Sequence, residues 1–162
     1  MNPSRPNFSP AYGISQDTET LLPWTHATDR LAASRNYWLA TTRPDGRPHV
    51  APVWGAWVDG ALYFGTELTS VKARNLATNP TLVVHLESGD DVVILEGTPE
   101  IIPDPAAIPG LDDAYRAKYN MGLSEAGGDA PDVSSVWYVF RPDTAAAWLE
   151  SDFITSATRW RR

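Results

Sequence analysis

Short apolar and β-branched runs separated by turn residues dominate the chain from residue 37 onward. Tyr37-Trp38-Leu39-Ala40-Thr41-Thr42 stops at Arg43-Pro44-Asp45-Gly46-Arg47, whose Pro-Asp-Gly core favours a turn. His49 to Val58 is apolar and aromatic, Asp59-Gly60 is a two-residue hairpin turn, and residues 61–66 form the returning strand. Residues 81–87 and 92–102, joined at Gly89-Asp90-Asp91, and residues 135–141 complete six strands. Strands joined by tight turns predict a mainly β protein with flanking helices, built on a six-stranded antiparallel barrel. The helical pattern is sparser. Trp24, Ala27, Leu31 and Ala32 recur at helical spacing and predict a helix over 25–36 with Thr25 as cap. Thr69 or Ser70 caps a second helix over 70–78, and Leu111 to Tyr119 forms a third. Ala145-Ala146-Ala147-Trp148-Leu149 fits helix and strand equally. Pro103, Pro105 and Pro109 mark a linker, and Gly122 to Pro131 reads as a mobile loop.

Residues 1–23 hold Pro3, Pro6, Pro10 and Gly13 without periodicity, so they read as an N-terminal arm, free or lying on a partner, ahead of one domain over 24–162. A net charge of −7 argues against nucleic acid as a general partner. The chain has no cysteine, which excludes disulfides and thiolate chemistry. No signal peptide or membrane-spanning run is visible, so a cytoplasmic protein with no membrane partner is expected.

The chemistry concentrates in Gly65 to Pro80. A helix capped by Thr69 or Ser70 leaves its first amides free, and its dipole adds partial positive charge there. Lys72, one of only two lysines among thirteen basic residues, and Arg74 add full charges, and Asn75 adds an amide donor. The same spacing also fits an ordinary capped helix with a solvated basic face. His26, His49 and His85 lack the spacing of a metal site, so no metal is expected, and His49 reads instead as a polar neighbour of a ligand. No nucleophile triad or carboxylate pair is legible, and no catalytic residue is assigned.

Five elements in order, Trp38-Leu39-Ala40-Thr41, Asp45-Gly46-Arg47-Pro48-His49, Val53-Trp54, Ser70-Val71-Lys72-Ala73-Arg74-Asn75-Leu76 with Asn79-Pro80, and Glu96-Gly97-Thr98, resemble the split β-barrel flavin and deazaflavin oxidoreductases. That superfamily includes pyridoxamine 5′-phosphate oxidase. The Lys-x-Arg-Asn-Leu element is most similar to the actinobacterial branch that uses the deazaflavin coenzyme F420, while other relatives bind FMN. The Arg-Leu-x-Pro ending of true pyridoxamine phosphate oxidases is absent, so vitamin B6 chemistry is not implied.

The resemblance implies an FMN-binding split barrel that works as a homodimer, with the site between subunits and hydride transfer to a small conjugated organic substrate. A non-catalytic cofactor or haem carrier on the same barrel is the alternative. The implied cofactor-binding residues are His49, Pro52, Val53, Trp54, Thr66, Ser70, Lys72, Arg74 and Asn75. Trp54 is placed to pack on the cofactor ring or the substrate, while Trp38 and Trp57 read as core or dimer contacts. Trp57, Val92, Val93 and Ile94 are the expected apolar interface. Trp160, between Arg159 and Arg161, reads either as reaching a site or as part of a disordered basic end.

Overall fold

Two antiparallel sheets enclose the main core, and the points where the chain passes between them set the architecture. The computed structural model describes residues 1–126 and 134–162; residues 127–131 of the expected glycine-rich loop lie outside them. The elements are β1 (Asn2–Ser4), α1 (Trp24–Ala33), β2 (Asn36–Thr42), β3 (Pro48–Trp54), β4 (Ala56–Val58), β5 (Ala61–Glu67), α2 (Val71–Thr78), β6 (Leu82–His85) and β7 (Asp91–Gly97). They continue with β8 (Pro99–Ile102), α3 (Leu111–Tyr119), α4 (Leu123–Ala126), β9 (Ser135–Phe140), β10 (Thr144–Leu149), α5 (Phe153–Ser156) and β11 (Thr158–Arg161). One sheet has seven strands in the order β1-β11-β10-β7-β6-β2-β3, and the other has four in the order β4-β5-β9-β8.

The mainly β architecture with flanking helices is as expected, but the six strands expected of a split barrel become two sheets of seven and four strands, with no closed barrel among the described residues. The run from 49 to 58 is two strands that part at Gly55, and the run from 92 to 102 parts at Thr98. A Cβ at Gly55 would lie 2.8 Å from the Tyr63 carbonyl, so only glycine lets the chain pass from one sheet to the other there. The Asp59-Gly60 turn has positive φ at both residues (48° and 74°), as a two-residue hairpin of this hand requires. Residues 144–149, ambiguous in sequence, form β10 between β7 and β11.

The main core lies between the sheets and holds Leu39, Phe64, Leu82, Val84, Leu95, Phe140 and Trp160. A second cluster forms where α3 packs its Tyr115 and Tyr119 on Tyr63 and Val139 of the four-stranded sheet. That explains why Ala61 to Phe64 are buried in succession, since β5 is covered on both faces. Val93, expected at an exposed interface, is instead 1% exposed and belongs to the main core. Its neighbours Val92 and Ile94 point the other way by strand alternation and are partly exposed. Trp57 packs against the core and meets Trp24 edge to face. Trp160 is 1% exposed and sits in β11, so the basic end is an ordered strand.

The N-terminal arm lies on its own chain. β1 pairs with β11, and the Arg5 guanidinium donates to the carbonyls of Thr155 (2.6 Å) and Ala157 (2.9 Å). Phe8 packs on Trp148 and Phe153. The first helix begins at Trp24 after Pro23, which makes no side-chain cap, and ends at Ala33. His26 bonds to Asp91 at 2.8 Å and Arg30 pairs with the same carboxylate, so Asp91 ties α1 to β7 and is not a purely solvated turn residue.

Candidate functional site

The N-terminus of α2 carries the built polar cluster that its sequence predicts. Ser70 is the cap: its backbone is extended and its Oγ accepts from the Ala73 amide at 3.2 Å. Thr66, at the end of β5, shares a hydrogen bond of 3.1 Å with the same hydroxyl. Lys72 follows in the first turn, half-buried. Desolvation lowers its pKa, with Glu67 opposing the shift. No carboxylate pairs with Lys72 among the described residues. A partly desolvated cation without a partner at a helix N-terminus is a place where an anion gains most.

β2 and β3 bring His49 alongside. Thr41 and His49 are directly opposed in the ladder, and Thr41 Oγ1 lies 3.3 Å from His49 Nδ1. Asn75, 2% exposed, donates its side-chain amide to Thr41 Oγ1 at 2.9 Å. Thr41 Oγ1 thus accepts from Asn75 and shares a second hydrogen bond with His49 Nδ1, which leaves Nε2 as the ring nitrogen turned away from Thr41. Burial lowers the His49 pKa, and Arg43 and then Lys72 push the same way, so the imidazole is neutral near neutral pH. Asn75 thus holds Thr41, and Thr41 orients His49.

Lys72 and Arg74 are two positions apart, about 200° around the helix, so they do not converge on one point. Arg74 is exposed and lines a groove of about 570 Å³ with Arg43, Arg47, Asp45 and Thr78, at the turn between β2 and β3. Asp45 pairs with Arg47 at 2.8 Å on the surface, leaving Arg43 and Arg74 without carboxylate partners among the described residues. The basic groups here are Lys72 beside His49 and the arginines of the groove, of which Arg43 also acts on His49.

β3 is an edge strand, paired only with β2. With Pro48 and Pro52 on it, the even positions turn their backbone groups away from β2, and this leaves a line of polar backbone open. Pro52 and Trp54 face outward, whereas the Val53 side chain is in the core, so Val53 has only backbone to offer a ligand. Trp54, 41% exposed, stacks on Tyr119 at 4.5 Å and 12°, and Arg35 lies over both rings. The outward face of this sheet continues through Trp38, His85 and Ile94, with Val50 half exposed beside them.

Of the nine residues expected from sequence, His49, Thr66, Ser70, Lys72 and Asn75 come together, Arg74 flanks them, and Pro52 and Trp54 extend along β3. Thr41, Arg43, Arg35 and Tyr119 were not foreseen as site residues. Thr41 carried a signal: alternation puts it on the inward face with Tyr37 and Leu39, and a buried hydroxyl needs partners.

The pyridoxamine 5′-phosphate oxidase family matches residues 24–149. Among solved structures, a conserved hypothetical protein from Mycobacterium tuberculosis is 26% identical, with 83% of this chain and 89% of that one covered and a TM-score of 0.67. An F420 reductase is 30% identical, with 72% and 93% covered and a TM-score of 0.56. An FAD-binding protein from Mesorhizobium loti shares the fold at 23% identity, with 85% and 93% covered and a TM-score of 0.58. No curated protein matches the chain. The order of motifs along the strands and α2, together with a match that spans both sheets, makes the chain a member of the pyridoxamine 5′-phosphate oxidase family.

Proposed function

We propose that the chain is an oxidoreductase that holds a phosphorylated flavin-type cofactor at the α2 N-terminus and along β3, with coenzyme F420 favoured over FMN. The observation that carries this reading is Lys72, half-buried and without a carboxylate partner beside the Ser70 cap. The residues fit such a group. Lys72, the free amides of α2 and the Ser70 and Thr66 hydroxyls would hold a phosphate, and the open backbone of β3 would meet the polar rim of a flat ring. Trp54 supplies an aromatic face at the far end of the same strand. The arginine groove supports the longer, more anionic deazaflavin tail over FMN, because Arg43 and Arg74, without carboxylate partners among the described residues, add positive charge to that of Lys72. An F420 reductase at 30% identity supports the same choice.

When bound, the cofactor supplies hydride transfer, and the chain supplies binding, orientation and exclusion of water. The neutral His49 adds a polar contact without adding charge. The substrate is a small conjugated organic molecule taken up over the Trp54 end of β3. A homodimer suits the sheet: Trp38, Val50, Pro52, Val92 and Ile94 lie on one outward face that water would otherwise wet.

The purified protein, titrated with F420, FMN and haem and then assayed for F420 oxidation with quinones and enones, tests the reading. Tight F420 binding with turnover supports it, preference for FMN reverses the cofactor order, and binding without turnover establishes the carrier alternative. Ile94→Asp, on the outward face, is expected to yield folded monomer with weakened cofactor binding. Full affinity in such a monomer would place the whole pocket in one chain.

A further inference from the structure

Lys118 is the second of the chain's two lysines, and the proposed cofactor site makes no use of it. It stands in the last turn of α3, half-buried, with Nζ 2.9 Å from the Tyr37 hydroxyl and 3.3 Å from the Gly55 carbonyl. Both are acceptors, since the Tyr37 hydrogen goes to the Leu31 carbonyl. A tetrahedral Nζ has three positions beyond Cε, and these contacts take two. The third has no protein partner among the described residues, and Lys118 lines a cavity of about 380 Å³ walled by Ala32 and Ala33 of α1, Ala56 and Trp57 of β4, and Ala114 and Ala117 of α3.

No carboxylate pairs with Lys118 among the described residues, and no other cation lines the cavity. The groups around it are Tyr37 from β2, Tyr119 from α3, whose hydroxyl shares the Gly55 carbonyl with Nζ, and Arg35, whose guanidinium donates to the Lys118 carbonyl at 3.0 Å. Burial against this wall pushes the Lys118 pKa down to about 8. Near pH 7 roughly a tenth of the molecules then carry the free amine, against about one in 2,500 for an ordinary lysine.

We propose that Lys118 is a nucleophilic amine that condenses reversibly with short aliphatic aldehydes in this cavity, whose lining shares no residue with the groups proposed to hold the cofactor. The amine lone pair attacks the carbonyl carbon while the π pair moves to oxygen. A proton leaves nitrogen, oxygen is protonated, and the carbinolamine loses that oxygen as water to leave the imine. One aldehyde is consumed and one water released, with no change in oxidation level. The methyl walls suit an aliphatic body. With no second cation in the cavity, a phosphorylated or carboxylated aldehyde would bring an uncompensated negative charge, as would the carbamate formed from carbon dioxide.

The two lysines allow an internal comparison in the intact protein. Butanal with cyanoborohydride fixes any imine as a secondary amine, and peptide mass mapping then reads Lys118 and Lys72 in one sample. The expected result is alkylation of Lys118 on the order of tenfold faster than Lys72 at pH 7, a pH midpoint near 8, and discrimination against glyoxylate, a charged aldehyde. The advantage is expected to vanish when the chain is unfolded in urea. Equal rates at the two lysines in the folded protein, a midpoint at the ordinary lysine value, or glyoxylate reacting as readily as butanal would each overturn the proposal.

Discussion

Lys72 and Lys118 are the same residue in two helices of one chain, and burial lowers the pKa of both, yet their surroundings ask for different chemistry. Lys72 sits at the start of α2 among hydroxyls, an oriented imidazole and nearby arginines, which add to its attraction for an anion against the single opposing carboxylate of Glu67. Lys118 sits at the end of α3 with alanines and Trp57 around it, so nothing there stabilises a second charge. Desolvation of a lysine does not by itself name a ligand. The polarity of the next layer decides between an anion and a neutral electrophile.

The sharpest way to break this comparison is to remove each charge in turn. Lys72→Ala is expected to weaken F420 binding ten- to a hundredfold, roughly 1.4 to 2.8 kcal/mol, because a charge-assisted contact to phosphate is lost. Lys118→Ala is expected to leave that affinity within about twofold. Calorimetric titration of both variants checks the pair, and equal losses would merge the two sites.

Next in size is the polar layer beside Lys72. Thr41→Val strands the buried Asn75 amide and frees His49, and is expected to cost about 2 kcal/mol in denaturant unfolding. A cost under about 0.5 kcal/mol would mean that the network does not organise the site. A smaller effect belongs to Lys118 and pH. Its folded pKa of about 8 lies below the unfolded value of about 10.4, so between these the unfolded chain binds more protons and stability rises with pH. Above pH 10 the buried hydroxyls of Tyr37 and Tyr115, whose pKa values burial raises, act in the opposite sense. Lys118→Met is expected to flatten the rise between pH 8 and 10 by about 1 kcal/mol, solvent screening included. An unchanged slope would show that the amine is not desolvated. The smallest expected change is Arg74→Ala, a loss of a few-fold in F420 affinity with FMN affinity unaltered. Equal losses for both would place Arg74 at the shared phosphate.

Much of this was legible in the sequence, and the failures have physical causes. Strand-forming runs and turn residues covered β2 to β9 as six runs rather than eight strands, and Ser70 was one of the two caps that helix chemistry offered for α2. Strand breaks were not visible because Val53-Trp54-Gly55-Ala56-Trp57 stays apolar across the passage from one sheet to the other. Val92-Val93-Ile94-Leu95 has no polar residue to mark which parity faces inward, so Val93 was assigned to the wrong face. Lys72 and Arg74, adjacent in a linear motif, start from different sides of α2, which the sequence alone does not display. Lys118 carried no sequence signal of its own, and only packing set it against alanines.

The pairing of β1 with β11 has a consequence for handling the protein. Without residues 1–23, β11 would present an unpatched row of amides and carbonyls, the kind of border onto which another molecule's strand can add. Removal of the Phe8 and Tyr12 rings would also bare Trp148 and Phe153. A truncation chosen to tidy the arm would therefore trade a well-behaved sample for one whose self-association grows with concentration, and an affinity tag at the N-terminus would pull on the same seam.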